Sequence, residues 1–192
     1  MSLASELRHR LEATADLARP HERDDIDLPA DSMPAAVLAA IVDRPEPALL
    51  LTRRDDNLRH HPGQIAFPGG RADPGDAGPI DTALREAEEE VALPRAAVEV
   101  IGLDGAYRTG TGFSIVPVVG VIPPGLALIP RDEEVAEIFE VPLAHVLDTA
   151  NHRPREGFFR GRMRRYIEIP YENYRIWGAT AAMIANLARR LA

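Results

Sequence analysis

The sequence predicts an α+β fold in which helices pack against a mixed or antiparallel β-sheet. Short apolar runs occur in two pairs, and a segment with apolar residues at helical spacing separates the pairs. An order of strands, helix, strands and further helices is typical of this class. With 192 residues, 45 % of them hydrophobic, the chain can bury a core, and we expect one domain over residues 1–192.

The first two predicted strands follow an N-terminal region, residues 1–33, that holds an amphipathic helix and a charged, proline-containing arm. Residues 35–43 and 48–54 are short apolar runs separated by Arg-Pro-Glu-Pro, which is typical of two buried strands joined by a turn. Residues 98–107 and 113–123 repeat this form around a glycine-rich loop. These four strands are expected to form the sheet.

One helix is predicted between the two strand pairs. Pro79 suits its first position and Pro94 marks its end. Apolar residues recur there with the spacing of a helix face that packs on a core, at Ile80, Ala83, Leu84, Ala87 and Val91.

Three elements are predicted after the second strand pair. Residues 134–148 indicate a strand that runs into a short helix, and residues 157–169 indicate a hairpin. The chain is expected to end in a helix over residues 176–191, in which Trp177, Thr180 and Ile184 recur at helical spacing.

The composition excludes several classes of function. A net charge of −8 and a pI near 5.3 argue against general nucleic-acid binding, which depends on cations meeting phosphates. The absence of cysteine leaves oxygen and imidazole as metal ligands and excludes a cysteine nucleophile. The N-terminus lacks the apolar region of a signal peptide, and no apolar run approaches membrane-spanning length. We therefore expect a soluble cytoplasmic protein with no membrane partner.

A cluster of carboxylates marks the candidate site. Glu86, Glu89 and Glu90 stand at i, i+3 and i+4, so they share one helix face at about 100° per residue. A solvated surface could carry such a run, because like-charge pairs destabilise a helix by only about 0.2–0.5 kcal/mol each. However, a hard cation such as Mg²⁺ prefers carboxylate oxygens, and Gly69 and Gly70 upstream allow the backbone to approach it closely.

Residues 69–93 resemble the Nudix box, the loop-helix signature of enzymes that hydrolyse nucleoside diphosphates linked to another group. The helix matches it at Arg85, Glu86, Ala87, Glu89, Glu90 and Leu93. Asp76 replaces the usual first glutamate, and eight residues, rather than seven, separate it from Arg85. Both departures resemble the coenzyme A pyrophosphatase branch of that family. Ala92 replaces a glycine near the helix end.

A second signature of that branch precedes the box. Its apolar start matches Leu50 and Leu51, and Asp55 stands where the branch has serine or alanine. The remaining matches are Thr52, Arg54, Arg59, Gly63, Phe67, Pro68, Gly69 and Gly70. The resemblance implies that this stretch binds coenzyme A, with Arg54, Arg59 and His61 placed to meet its phosphates and with Gly63, Phe67, Gly69 and Gly70 as further substrate-binding residues. Phe67 is also a candidate for the core.

The resemblance implies a Nudix-type α/β/α sandwich and a metal-dependent diphosphate hydrolysis. As a hypothesis, Glu86 and Glu90 bind Mg²⁺ or Mn²⁺ directly, Glu89 binds through a second ion or a water, and Arg85 orients Glu89. The products from coenzyme A would be 3′,5′-ADP and 4′-phosphopantetheine, with Glu89 as the candidate base.

Alternatives stay open at this point. One is a Nudix hydrolase of another nucleoside diphosphate derivative such as ADP-ribose, and another is a non-catalytic nucleotide-binding regulator. The sequence also leaves open the oligomeric state, a homodimer included, and the choice between free, acylated and oxidised coenzyme A. Further candidates for phosphate contacts are His145, His152, Arg162, Arg164 and Arg165, which could equally be surface residues.

Overall fold

The computed structural model of the protein describes residues 1–18, 32–159 and 161–191, so most of the predicted arm lies outside the described residues. The helices are α1 Leu3–Ala13, α2 Pro79–Val91, α3 Leu143–Leu147 and α4 Gly178–Leu191. The strands are β1 Met33–Val42, β2 Ala48–Arg54, β3 Ile65–Ala66, β4 Gly69–Arg71, β5 Glu99–Leu103, β6 Tyr107–Arg108, β7 Phe113–Ile122, β8 Val135–Pro142, β9 Arg153–Phe159, β10 Arg162–Tyr171 and β11 Tyr174–Trp177. Among these described helices, none combines the length and apolar character that crossing a bilayer requires.

The main sheet is mixed, as predicted. Strand β1 runs parallel to β7, from the Met33–Phe113 pair to the Val42–Ile122 pair. It runs antiparallel to β2 at one end and to β4 at the other. Strands β3, β2, β1, β7 and β5 follow in that order across the sheet, and β9, β10 and β11 form a separate antiparallel sheet.

The two faces of β1 pack against different helices. Val37 and Ile41 join a cluster that contains residues of α1 and α4, whereas Leu38 lies in a cluster with Ala83 and other apolar residues of α2. This division follows from the period of two along a strand, since successive side chains point to opposite faces. The result is a helix–sheet–helix sandwich with α2 on one side and α1 and α4 on the other.

Two predicted elements differ from the structure, and two strands were missed. The last helix begins at Gly178, not at residue 176, because Ile176 and Trp177 pair with Ile169 and Glu168 in a strand. Gly178 has a φ of +66°, and this left-handed conformation ends the strand. The predicted strand over residues 98–107 is two strands, because the chain leaves the sheet between β5 and β6. The short strands β3 and β4 were not predicted.

Helix α2 begins and ends where the sequence predicts. Pro79 occupies its first turn after Gly78, and Ala92 caps its end in the left-handed conformation, with a φ of 53°. The Leu93 N–H donates to the Ala87 carbonyl over 3.3 Å, which satisfies one of the last carbonyls. Alanine in this conformation costs roughly 1 kcal/mol relative to glycine. The buried Leu93 side chain packs beneath the turn.

A buried ion pair connects both ends of the chain to the sheet. Asp104, just after β5, accepts hydrogen bonds of 2.8 Å from Arg190 and from Asn186 of α4. Arg190 also donates to the Leu103 carbonyl and to the Leu11 carbonyl of α1. Both charged side chains are at most 3 % exposed. The network therefore fixes α1 and α4 on the face of the sheet that α2 does not cover.

Candidate active site

The double glycine forms a strand against which α2 packs closely. Gly70 pairs with Ala36 of β1, and a β-carbon added at Gly70 would lie 2.6 Å from the carboxylate carbon of Glu86. A β-carbon at Gly69 would lie 2.5 Å from the Ala36 carbonyl oxygen. Any larger residue at either position would displace the strand or the glutamate. The glycines therefore bring the backbone of β4 into direct contact with the Glu86 carboxylate.

Glu90 is the most deeply buried of the three glutamates. Its side chain accepts a 3.1 Å hydrogen bond from the Gly69 N–H, and the residue is only 8 % exposed. Burial raises the pKa of Glu90 to about 7, against the opposing effect of the Gly69 N–H. The negative charge of Glu86 raises this pKa further, whereas Arg54 lowers it. Glu90 thus sits beside Glu86 in a partly desolvated site.

Glu86 shares this environment. Burial also raises its pKa, and the neighbouring Arg85 opposes that shift through a 3.0 Å ion pair. The two carboxylates repel each other and both border the Gly69–Gly70 strand. A cation bound between the two carboxylates and the strand would offset both their mutual repulsion and the cost of burying their charges.

Arg85 is fixed by the loop that precedes α2. Its guanidinium donates two 3.0 Å hydrogen bonds to the Asp76 carboxylate and a third, of 3.1 Å, to the Arg71 carbonyl. Asp76 also accepts a hydrogen bond from the Thr82 hydroxyl. The pKa of Asp76 is held well below its usual range, mainly by the hydrogen bonds from Arg85. Asp76 therefore anchors the box loop to the helix, a role that its distance from Arg85 in the sequence did not reveal.

Glu89 is the most exposed of the three glutamates and shares the Arg85 guanidinium with Glu86. Its side chain is 46 % exposed and accepts from Arg85 over 3.3 Å. Within the ranges the structure describes, no three acidic or histidine side chains converge as a ready-made metal cluster. Glu86 and Glu90 are thus the two glutamates brought to the glycine strand, and Glu89 stands at its solvent side.

The loop between β2 and β3 carries two of the predicted phosphate-binding side chains. Arg59 and His61 are exposed, and His61 adopts a φ of 55°. Gly63 has a φ of 65°, and a β-carbon there would lie 2.8 Å from the Asp56 carboxylate. Gly63 therefore shapes this loop. The Arg54 Nε atom is buried and has no hydrogen-bond partner among the described residues.

The structure assigns some predicted candidates to other roles. Phe67 is 3 % exposed and belongs to the core, so it does not present a ring to a ligand. The imidazoles of His145 and His152 are hydrogen-bonded to the carbonyls of Pro170 and Val146, which fixes the segment around α3. Glu134, just before β8, is a further charge near the site, and its field raises the pKa of Glu90.

The raised pKa of Glu90 predicts a pH-dependent stability. In metal-free protein, the folded state holds this proton up to about pH 7, whereas the unfolded chain releases it near the ordinary value of 4.5. The free energy of unfolding should therefore fall between these pH values by up to about 3 kcal/mol, and Glu90→Gln should remove that fall. Urea unfolding of the wild-type protein and of Glu90→Gln at pH 5 and pH 8, in the presence of a chelator, measures how much the free energy of unfolding changes in each protein. An equal change in the two proteins would contradict the assignment.

A protein-family model matches the part of the chain that contains the candidate site. Residues 33–160 match the model of the NUDIX domain, a range that runs from β1 past α2 and into the β9–β10 hairpin. The relative NudL of Shigella flexneri serotype 5b, an uncharacterized Nudix hydrolase, is 48 % identical over 163 residues, which are 85 % of each chain. NudL of Escherichia coli K12 is 49 % identical over 157 residues, 82 % of each chain.

A solved structure shows the same architecture. The Nudix hydrolase RenU of M. smegmatis superposes with a TM-score of 0.51 at 26 % identity, over 61 % of this chain and 74 % of RenU. The likeness agrees with the helix–sheet–helix sandwich and the mixed sheet described above.

Proposed function

This chain belongs to the NUDIX domain family of hydrolases, and we propose that it hydrolyses the diphosphate bond of coenzyme A or its derivatives. Nudix hydrolases are pyrophosphohydrolases of nucleoside diphosphate derivatives, and the match to the relatives extends over 85 % and 82 % of each chain. The finer assignment to coenzyme A rests on the signature that precedes the box, from Leu50 to Gly70.

The observation that carries this proposal is the pair of carboxylates at the glycine strand. Glu86 and Glu90 are partly desolvated, repel each other and offer hard oxygen ligands. Mg²⁺ is usually held by one or two protein carboxylates, several waters and the phosphates of the substrate, so two glutamates fit it without a third. Glu86 and Glu90 would hold Mg²⁺ or Mn²⁺, and the ion would supply Lewis acidity and neutralise phosphate charge.

The other residues position the substrate and the helix. Arg85, anchored by Asp76, prevents the Glu86 side chain from rotating away and holds Glu89 at the solvent side. Glu89 can accept a proton from an attacking water, because it is exposed and adjacent to the pair. These groups act by orientation, since phosphoryl transfer depends mainly on positioning and charge stabilisation.

The cations of the β2–β3 region would meet the phosphates of the substrate. Arg54 lies beside the glutamates and its buried Nε lacks a partner among the described residues, so a phosphate oxygen would satisfy it. Arg59 and His61 stand on the exposed loop that follows β2. Their exposure leaves them accessible to the 3′-phosphate of coenzyme A.

A product analysis tests the proposal. The purified protein is incubated with coenzyme A, ADP-ribose or NADH in Mg²⁺ or Mn²⁺, and the products are identified by mass. We expect 3′,5′-ADP and 4′-phosphopantetheine from coenzyme A, at a higher kcat/KM than for the other two compounds. Faster turnover of ADP-ribose would support the wider-family alternative, and binding without turnover of any compound would support a regulatory role.

Arg59→Ala tests the contact with the 3′-phosphate. We expect kcat/KM for coenzyme A to fall roughly tenfold, as for the loss of one charge-assisted hydrogen bond at an exposed position. The value for dephospho-coenzyme A, which lacks this phosphate, should change little. His60→Ala is the matched control, because His60 is exposed on the same loop and lies outside the signature. Equal losses for both substrates would reject the role of Arg59.

A further inference from the structure

The hairpin of β10 and β11 contacts the main sheet through an aromatic pair. The rings of Tyr174 in β11 and Phe139 in β8 stack with their centroids 3.8 Å apart and their planes 7° apart. The Tyr174 hydroxyl also donates a 2.6 Å hydrogen bond to the Glu137 carboxylate. Glu137 and Phe139 are two residues apart along β8, so their side chains point to the same face. Tyr174 lies beyond residues 33–160, and its contacts therefore join a segment outside the matched range to a strand within it.

Glu137 extends this contact to β2. It is the direct cross-strand partner of Arg53, and its second carboxylate oxygen lies 3.5 Å from the Arg53 Nε atom. The Nη1 atom of Arg53 donates in turn to both carboxylate oxygens of Asp56, over 3.0 and 3.1 Å. These four residues, the Tyr174 network, therefore connect the β10–β11 hairpin to the end of β2 through hydrogen bonds and ion pairs.

The Tyr174 network ends on the loop that carries the predicted phosphate contacts. Asp56 lies at the start of this loop, and its carboxylate would be 2.8 Å from a β-carbon added at Gly63, near the end of the loop. The Asp56 carboxylate that Arg53 holds is therefore packed beside Gly63. Arg59 and His61 are exposed between these two points. The position of the Asp56 carboxylate thus sets the path of the loop from which Arg59 extends.

Resting on the proposed function, we infer that Tyr174 and Glu137 are positioning residues that set the preference of the site for a 3′-phosphate. Through Arg53 they hold the loop in the conformation that presents Arg59, so the phosphate binds without further ordering of the loop. Preorganisation of this kind raises affinity, because a mobile loop loses conformational entropy when it binds a ligand.

The Tyr174 network is expected to affect the loop rather than the stability of the fold. The side chains of Arg53 and Asp56 are 31 % and 71 % exposed. An ion pair this exposed contributes little to the free energy of unfolding, because solvent screens its charges. A change in substrate preference is therefore the effect that identifies the role of the network.

Binding of 3′,5′-ADP and of AMP, which lacks the 3′-phosphate, tests this role without any hydrolysis. By titration calorimetry in Mg²⁺, we expect the wild-type protein to bind 3′,5′-ADP roughly tenfold more tightly than AMP, as for one charge-assisted hydrogen bond. Tyr174→Phe keeps the ring stack with Phe139 and removes only the hydroxyl. It should lower this affinity ratio about fivefold, because the loop must then be ordered on binding. Glu137→Gln should lower the ratio similarly, since a neutral side chain holds the guanidinium less strongly.

Tyr171→Phe is the matched control. Tyr171 is the cross-strand partner of Tyr174 in the same hairpin, but Glu172 rather than Glu137 is the acidic residue beside its hydroxyl. Its replacement should leave the affinity ratio unchanged. In protein that already carries Arg59→Ala, Tyr174→Phe should lower the ratio no further, because residues that act through one contact are not additive.

Hydrogen exchange of the backbone amides shows whether the loop itself responds. In Tyr174→Phe without ligand, residues 55–63 should exchange roughly threefold faster than in the wild-type protein, because the loop opens more often. Residues 79–91 of α2 should exchange at the wild-type rate. Circular dichroism and thermal unfolding of each variant confirm that it is folded.

Three results would overturn the positioning role: an unchanged affinity ratio in folded Tyr174→Phe, equal losses of affinity for both compounds, or unchanged exchange of the loop. Equal losses are what a purely structural defect would produce. A ratio that falls when the hydroxyl is removed, together with faster loop exchange, would support the role even if the product analysis failed for coenzyme A. Conversely, turnover of coenzyme A by a protein without a 3′-phosphate preference would leave the proposed function standing and reject the positioning role.

Discussion

Replacing Glu86 or Glu90 with glutamine is expected to lower kcat by more than about 100-fold while leaving the fold intact. Loss of a mere outer partner of a metal ligand already reduces metal affinity or activity by about 10 to 100-fold, so loss of a direct ligand should exceed that range. Glutamine keeps the shape of each side chain and can still accept the Gly69 N–H at position 90. Steady-state rates with coenzyme A at saturating Mg²⁺ measure the effect.

Glu88→Gln is the matched control for both variants. Glu88 lies on the same helix, is exposed and pairs with Arg95 rather than with the glycine strand. Its replacement should leave kcat within about twofold, because an exposed ion pair contributes little. If Glu86→Gln and Glu90→Gln retained wild-type rates, the assignment of the catalytic pair would be wrong.

The second large effect concerns stability. Asp104→Ala should lower the free energy of unfolding by about 3–5 kcal/mol, because it leaves the Arg190 charge buried without its partner. Asn186 would also lose the acceptor of its amide. Equilibrium unfolding in urea, followed by circular dichroism, measures this change.

An exposed ion pair near the same strand supplies the comparison. Glu99 lies in β5 and accepts from Arg8 of α1 over 2.8 Å, but its side chain is 57 % exposed. Glu99→Ala should therefore lower the free energy of unfolding by less than about 1 kcal/mol. Similar losses for the two variants would show that burial does not set the strength of the Asp104 network.

Features set by local sequence were predicted well. The bounds of α2 follow from Pro79 and from the apolar period, because both act within a few residues. The same period determined the face on which Glu86 and Glu90 lie. The mixed sheet and its strand pairs followed from short apolar runs, and the fold class is confirmed by the structure and by the family match.

Features set by pairing across the chain were not predicted. Trp177 fits the apolar spacing of α4. However, Ile176 and Trp177 both belong to β11, because they pair with Ile169 and Glu168 of β10. Strand β4 begins with two glycines, which disfavour strands, and only its pairing with β1 defines it. Two ion pairs, Asp76 with Arg85 and Asp104 with Arg190, depend on the path of intervening loops, so sequence spacing alone could not reveal them.

The position of the divalent ion is tested most directly by Mn²⁺ binding, measured by electron paramagnetic resonance on the protein without substrate. We predict that Glu86→Gln and Glu90→Gln each weaken Mn²⁺ binding at least tenfold, whereas Glu88→Gln binds it as the wild-type protein does. Wild-type affinity in both Glu86→Gln and Glu90→Gln would contradict the account, because the ion would then be held elsewhere.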